Sequence, residues 1–158
     1  MADIIITMKN GDVMKAELYP EIAPITVANF LDLIKRNFFD GLIFHRVIEG
    51  FMIQGGGYDE KGNHKDADSI KGEFTKNGFT NNLKHTRGVL SMARTSFPNS
   101  ASSQFFIMHA DAPHLDGQYA AFGKITEGIE VVDKIAAVDT DYQDCPLEPQ
   151  IIESIKLA

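Results

Sequence analysis

The sequence predicts a mainly β fold, a sandwich or a barrel, of about eight short strands and two helices. Three observations carry that expectation. Short apolar and β-branched runs recur along the whole chain, separated by Gly, Asn, Asp and Pro. Only two stretches place apolar residues at helical spacing. And 158 residues, 44% apolar and 23% charged, have the size and balance of one globular domain, here residues 1–158. Such a domain buries roughly 68–70% of its unfolded surface and needs no disulfide or metal staple.

Residues 3–8 are β-branched and apolar, as are residues 12–18, with Asn10-Gly11 between them. Asn-Gly between two such runs predicts a hairpin, because both residues tolerate positive φ. Pro24 then suits a first helical turn, where its missing N–H is not needed. Val27, Phe30, Leu31 and Ile34 follow at i, i+3, i+4, i+7, one apolar stripe for a core. Residues 42–48, 51–54, 88–92, 104–108, 120–125 and 151–156 read as further strands. Residues 128–137 read as the second helix, with Val131, Val132, Ile135 and Ala136 on one side. Short connections favour antiparallel pairing.

Residues 55–87 stand apart. They are rich in Gly, Asn, Lys and Asp, lack an apolar period, and are far longer than an ordinary connection. Residues 61–94 carry seven Lys/Arg against three Asp/Glu, a local +4 in a chain of net charge −7. A solvated loop accounts for that charge. So does a mildly basic wall beside a groove.

The chemistry concentrates in residues 44–57. Read as two strands about a Glu49-Gly50 turn, alternation puts Phe44, Arg46 and Ile48 on one face, and Met52 and Gln54 likewise share a face on the second strand. His45 then points away from Arg46. An arginine between large apolar residues is unusual, although an edge-strand Arg can cover apolar surface with its stem. A second cluster strengthens the functional reading. Gln104, Phe106 and Met108 share a face, and His114, Leu115 and Tyr119 follow in a loop. Phe, Met and Leu bordered by Arg and Gln describe an apolar pocket with a few polar orienters.

Four segments, 44–56 (FHRVIEGFMIQGG), 86–94 (TRGVLSMAR), 103–107 (SQFFI) and 115–123 (LDGQYAAFG), closely resemble the cyclophilins, a family of peptidyl-prolyl cis–trans isomerases. The resemblance spans nearly the whole chain. It implies a closed eight-stranded antiparallel β-barrel capped by two α-helices, with the active site outside the barrel. Carried over by position, it implies Arg46 as the catalytic residue and Phe51, Met52, Phe106 and Leu115 as the proline pocket. Gln54 would hold the arginine and the peptide, and Ala93, Arg94 and Gln104 would contact the peptide. His114 stands where the best-known eukaryotic members have Trp, Tyr119 where they have His, and Arg94 where they have Asn, so the chain resembles the compact bacterial branch. The Trp position contributes to cyclosporin binding in the family, so His114 implies weakened affinity for that drug. Arg94 implies a changed preference beside the proline.

Other classes are poorly supported. A net charge of −7 disfavours nucleic acid, and no apolar run approaches the roughly 20 residues of a membrane helix. The five histidines lack metal-ligand spacing, so no metal or other cofactor is expected. Gly55-Gly56-Gly57 lacks the Lys-Ser/Thr of a phosphate loop. Cys145, the single cysteine, reads as a bystander thiol. With no visible signal peptide, a monomer in a reducing cytoplasm is expected, acting on proline-containing peptides and folding polypeptides. The rival reading is a proline-peptide docking module without catalysis.

Overall fold

A computed structural model describes residues 2–158. Strands β1 (Ala2–Met8) and β2 (Val13–Leu18) form the expected hairpin, but its turn is longer than two residues. The Met8 N–H donates to the Asp12 carbonyl at 2.8 Å, leaving Lys9, Asn10 and Gly11 in the loop. Gly11 takes φ of +96°, whereas the Asn10 side chain accepts the Asp12 N–H at 2.9 Å. Three-residue hairpin loops commonly end on such a left-handed residue.

Helix α1 (Pro24–Lys35) opens on its proline and buries Val27, Phe30 and Ile34. Leu31 is only half-buried; the helix is rolled so that Leu33 faces the core instead. Strands β3 (Leu42–Ile48), β4 (Met52–Asp59), β5 (Val89–Met92), β6 (Phe105–Met108) and β7 (Ala121–Glu127) follow. Helix α2 (Ile129–Ala136) buries the four residues expected of it, and β8 (Ile152–Leu157) ends the chain. All pairings are antiparallel, in the order β3-β4-β6-β5-β7-β2-β1-β8. The two outer strands approach each other through the chain before β8. The Gly41 N–H donates to the Ile152 carbonyl at 2.8 Å and the Phe44 N–H to the Gln150 carbonyl at 3.0 Å. The sheet thereby becomes a nearly closed barrel.

The interior is filled. The Phe30 ring lies 4.9 Å from Phe39, 5.2 Å from Phe105 and 5.1 Å from Phe122. An eight-stranded barrel has an interior just wide enough for side chains, so a substrate must be met outside. Strand alternation supplies the outer surface. Ile53, Leu90, Phe105 and Ile107 point inward, while Met52, Val89, Phe106 and Met108 form a second apolar cluster on the outer face.

Residues 55–87 are not one loop. β4 continues through all three glycines to Asp59, pairing with β3 and β6. A Cβ on Gly55 would meet the Ile43 carbonyl at 2.6 Å, so the strands approach too closely there for any larger residue. The rest is pinned by buried polar side chains, which leave no apolar period to read. Ala23 caps α1 with no side-chain bond; Glu73 does so from this segment. Its buried Oε1 accepts the Thr26 N–H at 2.6 Å and the Thr26 hydroxyl at 2.8 Å. Asn81 donates to the Glu73 and Ala121 carbonyls at 2.9 and 3.0 Å, tying the segment to β7.

Replacing Glu73 by Ala strands an N–H of the first helical turn and empties a buried volume. A loss of about 2–4 kcal/mol is expected in urea unfolding, from the missing cap and the lost charge-assisted bonds together. Glu73→Gln keeps an acceptor for Thr26 and is expected to retain most of that stability.

Candidate active site

The site begins with an irregularity in β3. Phe44 pairs with Gly55 and Arg46 with Gln54, so β3 advances two residues where β4 advances one. Such a bulge reverses the alternation of side chains. Phe44 therefore points into the barrel, fully buried, while Arg46 emerges exposed on the outer surface beside half-buried Ile48. This corrects the regular-strand expectation that Phe44, Arg46 and Ile48 share a face. It also corrects His45, which does not oppose Arg46; both border one outer hollow.

Arg46 stands at the rim of a different cavity of about 150 Å³. Its floor is Met52, Phe106 and Leu115, all buried. Phe51, Ala93 and Tyr119 wall it, and Arg46, Gln54 and Arg94 supply the polar edge. The exposed His114 ring lies 5.7 Å from Phe51, just outside, and Gln104 lies behind Gln54. Nine of the eleven sequence-predicted site residues line this cavity, and the other two, Gln104 and His114, lie beside it. A hollow of about 440 Å³ is larger, but only the smaller one combines a buried apolar floor with converging polar groups, the make-up of a ligand site.

Arg46 Nη1 donates to Gln54 Oε1 at 3.5 Å, a weak bond, and Gln54 Nε2 donates to Gln104 Oε1 at 3.0 Å. Among the described residues no carboxylate pairs with Arg46. The relay needs Gly57, where a Cβ would lie 2.5 Å from the Gln104 amide nitrogen. Gly57, alone of the three β4 glycines, makes room for this polar edge; Gly55 and Gly56 lie against backbone carbonyls and the Phe44 and Phe105 rings.

Arg94 is committed to structure. Its Nε and Nη2 donate to the Gln118 carbonyl at 3.2 and 2.7 Å, and Nη1 to the Thr95 carbonyl at 2.9 Å. The guanidinium lies 4.6 Å from the Phe74 ring centroid and 4.8 Å from Tyr119. It is a wall of the cavity. The other cations expected of a basic wall lie elsewhere or are engaged away from it. Lys65 donates to the Phe38 carbonyl at 2.8 Å, and Arg87 forms two bonds to Asp133 at 2.7 and 2.8 Å.

Behind the floor lies a set of residues that sequence reasoning missed. Buried His85 stacks on Phe106, bonds Ser91 Oγ through Nε2 at 2.8 Å, and meets Asp116 Oδ1 through Nδ1 at 3.1 Å. Asp116 follows Leu115, so this chain joins two residues of the pocket floor. His85 and Asp116 are far apart in sequence, and no local pattern marks them. Burial lowers the His85 pKa against the opposing pull of Asp116, keeping the imidazole neutral.

Burial pushes the His45 pKa down to about 4, and the adjacent Arg46 charge acts in the same direction. At neutral pH Arg46 is then the charged member of the pair. Because the folded value lies below the ordinary 6.5, the unfolded chain takes up a proton first as pH falls. The stability involved is complete above pH 6.5 and is lost on the way to about pH 4. For this half-buried group the loss is at most about 3 kcal/mol. Urea melts across that window are expected to show it, and to show a smaller fall in His45→Gln. Asp133, held low by Arg87, titrates below the window.

A family model described as "Cyclophilin type peptidyl-prolyl cis-trans isomerase/CLD" matches residues 3–157. A peptidyl-prolyl cis-trans isomerase of Acinetobacter baylyi is 44% identical over 99% of this chain and 87% of its own length. Peptidyl-prolyl cis-trans isomerase ppi1 of Schizosaccharomyces pombe is 42% identical over 99% of this chain and 100% of its own. Bacterial and fungal relatives at nearly equal identity do not set a bacterial branch apart. Among solved structures, a cyclophilin type isomerase of Cryptosporidium parvum superposes with a TM-score of 0.84 at 31% identity, covering 99% of this chain and 97% of that one. The same isomerase, in the presence of the dipeptide Ala-Pro, gives 0.83 at 32% identity, covering 99% and 98%. The barrel filled with phenylalanine, the apolar cavity on its outer face and these full-length matches agree: this chain belongs to the cyclophilin-type peptidyl-prolyl cis–trans isomerases.

Proposed function

We propose that isomerisation takes place at the 150 Å³ cavity, with the ring of proline on Met52, Phe106 and Leu115 and the prolyl nitrogen turned to Arg46. The observation that carries this reading is a guanidinium at the edge of an apolar hollow with, among the described residues, no carboxylate on it. An apolar cavity of about 150 Å³ accepts a ring the size of benzene, so a pyrrolidine fits.

The peptide bond resists rotation because the nitrogen lone pair is shared with the carbonyl, a barrier of about 18–20 kcal/mol. Unassisted exchange at proline takes roughly tens to hundreds of seconds. No covalent bond breaks, so the reaction demands no nucleophile, metal or proton carrier. In the twisted state the nitrogen becomes pyramidal and recovers its lone pair. A guanidinium N–H donates to that lone pair and finds no such acceptor in the planar amide, which is selective binding of the transition state. Bringing about ten seconds to about a millisecond needs roughly 5.5 kcal/mol. One charged donor aimed at developing electron density supplies about 3–4 kcal/mol when the peptide covers it. The apolar floor contributes the rest by removing water from the amide and fixing the ring while the carbonyl side turns. Gln54, tethered by Gln104, keeps Arg46 over the cavity.

The partners are proline-containing peptides and folding polypeptides, met by Ala93, Arg94, Gln104, Phe51, His114 and Tyr119 around the cavity. Residues 1–158 act as one isomerase domain, monomeric and cytoplasmic, without nucleic-acid or membrane partners. Among the described residues no helix is long and apolar enough to cross a membrane. Cyclosporin affinity is weakened by His114, whose imidazole offers less apolar area than an indole. The test of the site is exchange spectroscopy on an Ala-Pro peptide at substoichiometric protein. Catalysis gives exchange cross-peaks whose rate scales with turnover, accompanied by shifts at Phe51, Phe106 and Tyr119. A docking module shifts populations only in proportion to its concentration.

A further inference from the structure

On the far side of Arg46 from the proline cavity lies the 440 Å³ hollow between β3, β4 and the loop that carries Cys145. We propose that it is a subsite for the side chain of the residue preceding proline, and that it prefers Lys or Arg there. The inference rests on the reading of Arg46 given above. If the Arg46 guanidinium meets the prolyl nitrogen, the preceding residue is bonded to that nitrogen and leads away from the ring. Arg46 borders both hollows, so the preceding side chain has an open path past it.

The walls suit a long cationic side chain. Ile43 and Tyr58, whose ring also packs against His64 at 4.9 Å, offer apolar surface for a stem. The His45 ring packs on Tyr58 at 4.8 Å and 62°, and its buried Nδ1 has no hydrogen-bond partner in the protein. His45 is neutral at pH 7, being pushed down to about 4, and adds no competing charge. Asp59 and Glu60 supply two carboxylates at the opposite edge. Asp59 is already oriented, accepting the Lys61 and Asn63 N–H groups at 2.9 Å each. Arg46 opposes a second cation, and Lys61 lies in the same turn as Asp59. A Lys or Arg stem is long enough to carry its head past Arg46 to the acidic edge.

The test compares kcat/KM by exchange spectroscopy on Ala-Xaa-Pro-Ala peptides with Xaa Lys, Ala, Phe or Glu. Two partly exposed carboxylates give a Lys-over-Glu preference of about three- to tenfold. The double variant Asp59→Asn, Glu60→Gln is expected to bring that ratio near parity while leaving the Ala peptide unchanged. Because the chain is acidic everywhere, the control is Glu130→Gln, Glu153→Gln, equal in charge change and placed on α2 and β8. The control must keep the preference. Amide shifts at Tyr58 and Cys145 on adding the Lys peptide, absent with the Ala peptide, place the side chain directly. Equal Lys and Glu rates in the parent protein, a preference for Phe, or equal loss in variant and control each overturn the subsite. Failure of the underlying reading is distinct: Arg46→Ala would then leave the rate on the Ala peptide intact.

Discussion

Arg46→Ala is expected to lower kcat/KM for an Ala-Pro peptide by about 10²–10³-fold, the loss usual for one preorganised donor to transition-state charge. Binding is expected to change far less. The planar amide offers the guanidinium no nitrogen lone pair, and the floor of Met52, Phe106 and Leu115 that takes up the ring is untouched. Arg46→Lys should fall between the two, since an ammonium retains the charge but not the planar fork of donors. Exchange spectroscopy reads the rate and a shift titration reads the affinity on the same sample. Parallel loss of both would mean that Arg46 holds the peptide without favouring the twisted state. The barrel should keep its stability, because Arg46 is exposed and its one side-chain bond among the described residues, to Gln54, is weak.

The second large effect separates two neighbours. Phe105→Ala is expected to cost about 3–5 kcal/mol of stability, as large-to-small changes in a packed core do. Its ring is fully buried inside the barrel against Phe30, Phe39 and Phe44. Phe106→Ala opens a space at the outer floor that peptide and water can enter, so less stability is lost and more function. Loss of the ring from beneath the proline should weaken peptide binding by about tenfold, the scale set by burying one apolar side chain's worth of area incompletely. It also leaves His85 without its stacking partner. Urea melts and peptide titrations on the two variants should therefore rank in opposite orders. A Phe106→Ala protein less stable than Phe105→Ala would place the pocket in the core of the fold.

How much of this was legible beforehand differs from residue to residue. The eight strands and two helices follow from apolar period and turn residues, and α2 is buried on the side its spacing indicates. The pocket residues Phe51, Met52, Phe106 and Leu115 were legible through family resemblance, which carries positions that lie far apart along the chain. The bulge at His45 was not legible. A bulge depends on how two strands pair, and the residues 44–48 alternate as a regular strand would. Residues 55–87 read as a loop because glycine has no side chain to show a period, and because their anchors, Glu73, Asn81 and His85, are polar. Buried polar groups are satisfied by distant partners, Thr26, Ala121 and Asp116, which no local spacing announces.

By itself, then, the sequence determined the class of fold, with its eight strands and two helices, and through matched segments the side chains expected around a proline pocket, since these depend on local period and on resemblance. The tertiary structure decided direction. It turned Phe44 inward and Arg46 outward, tied Arg94 to backbone carbonyls, and set two hollows on either side of one guanidinium. The physical reason is that a side chain's face and partners follow from strand register and from contacts across the barrel. Both come into being only when segments far apart in the chain meet.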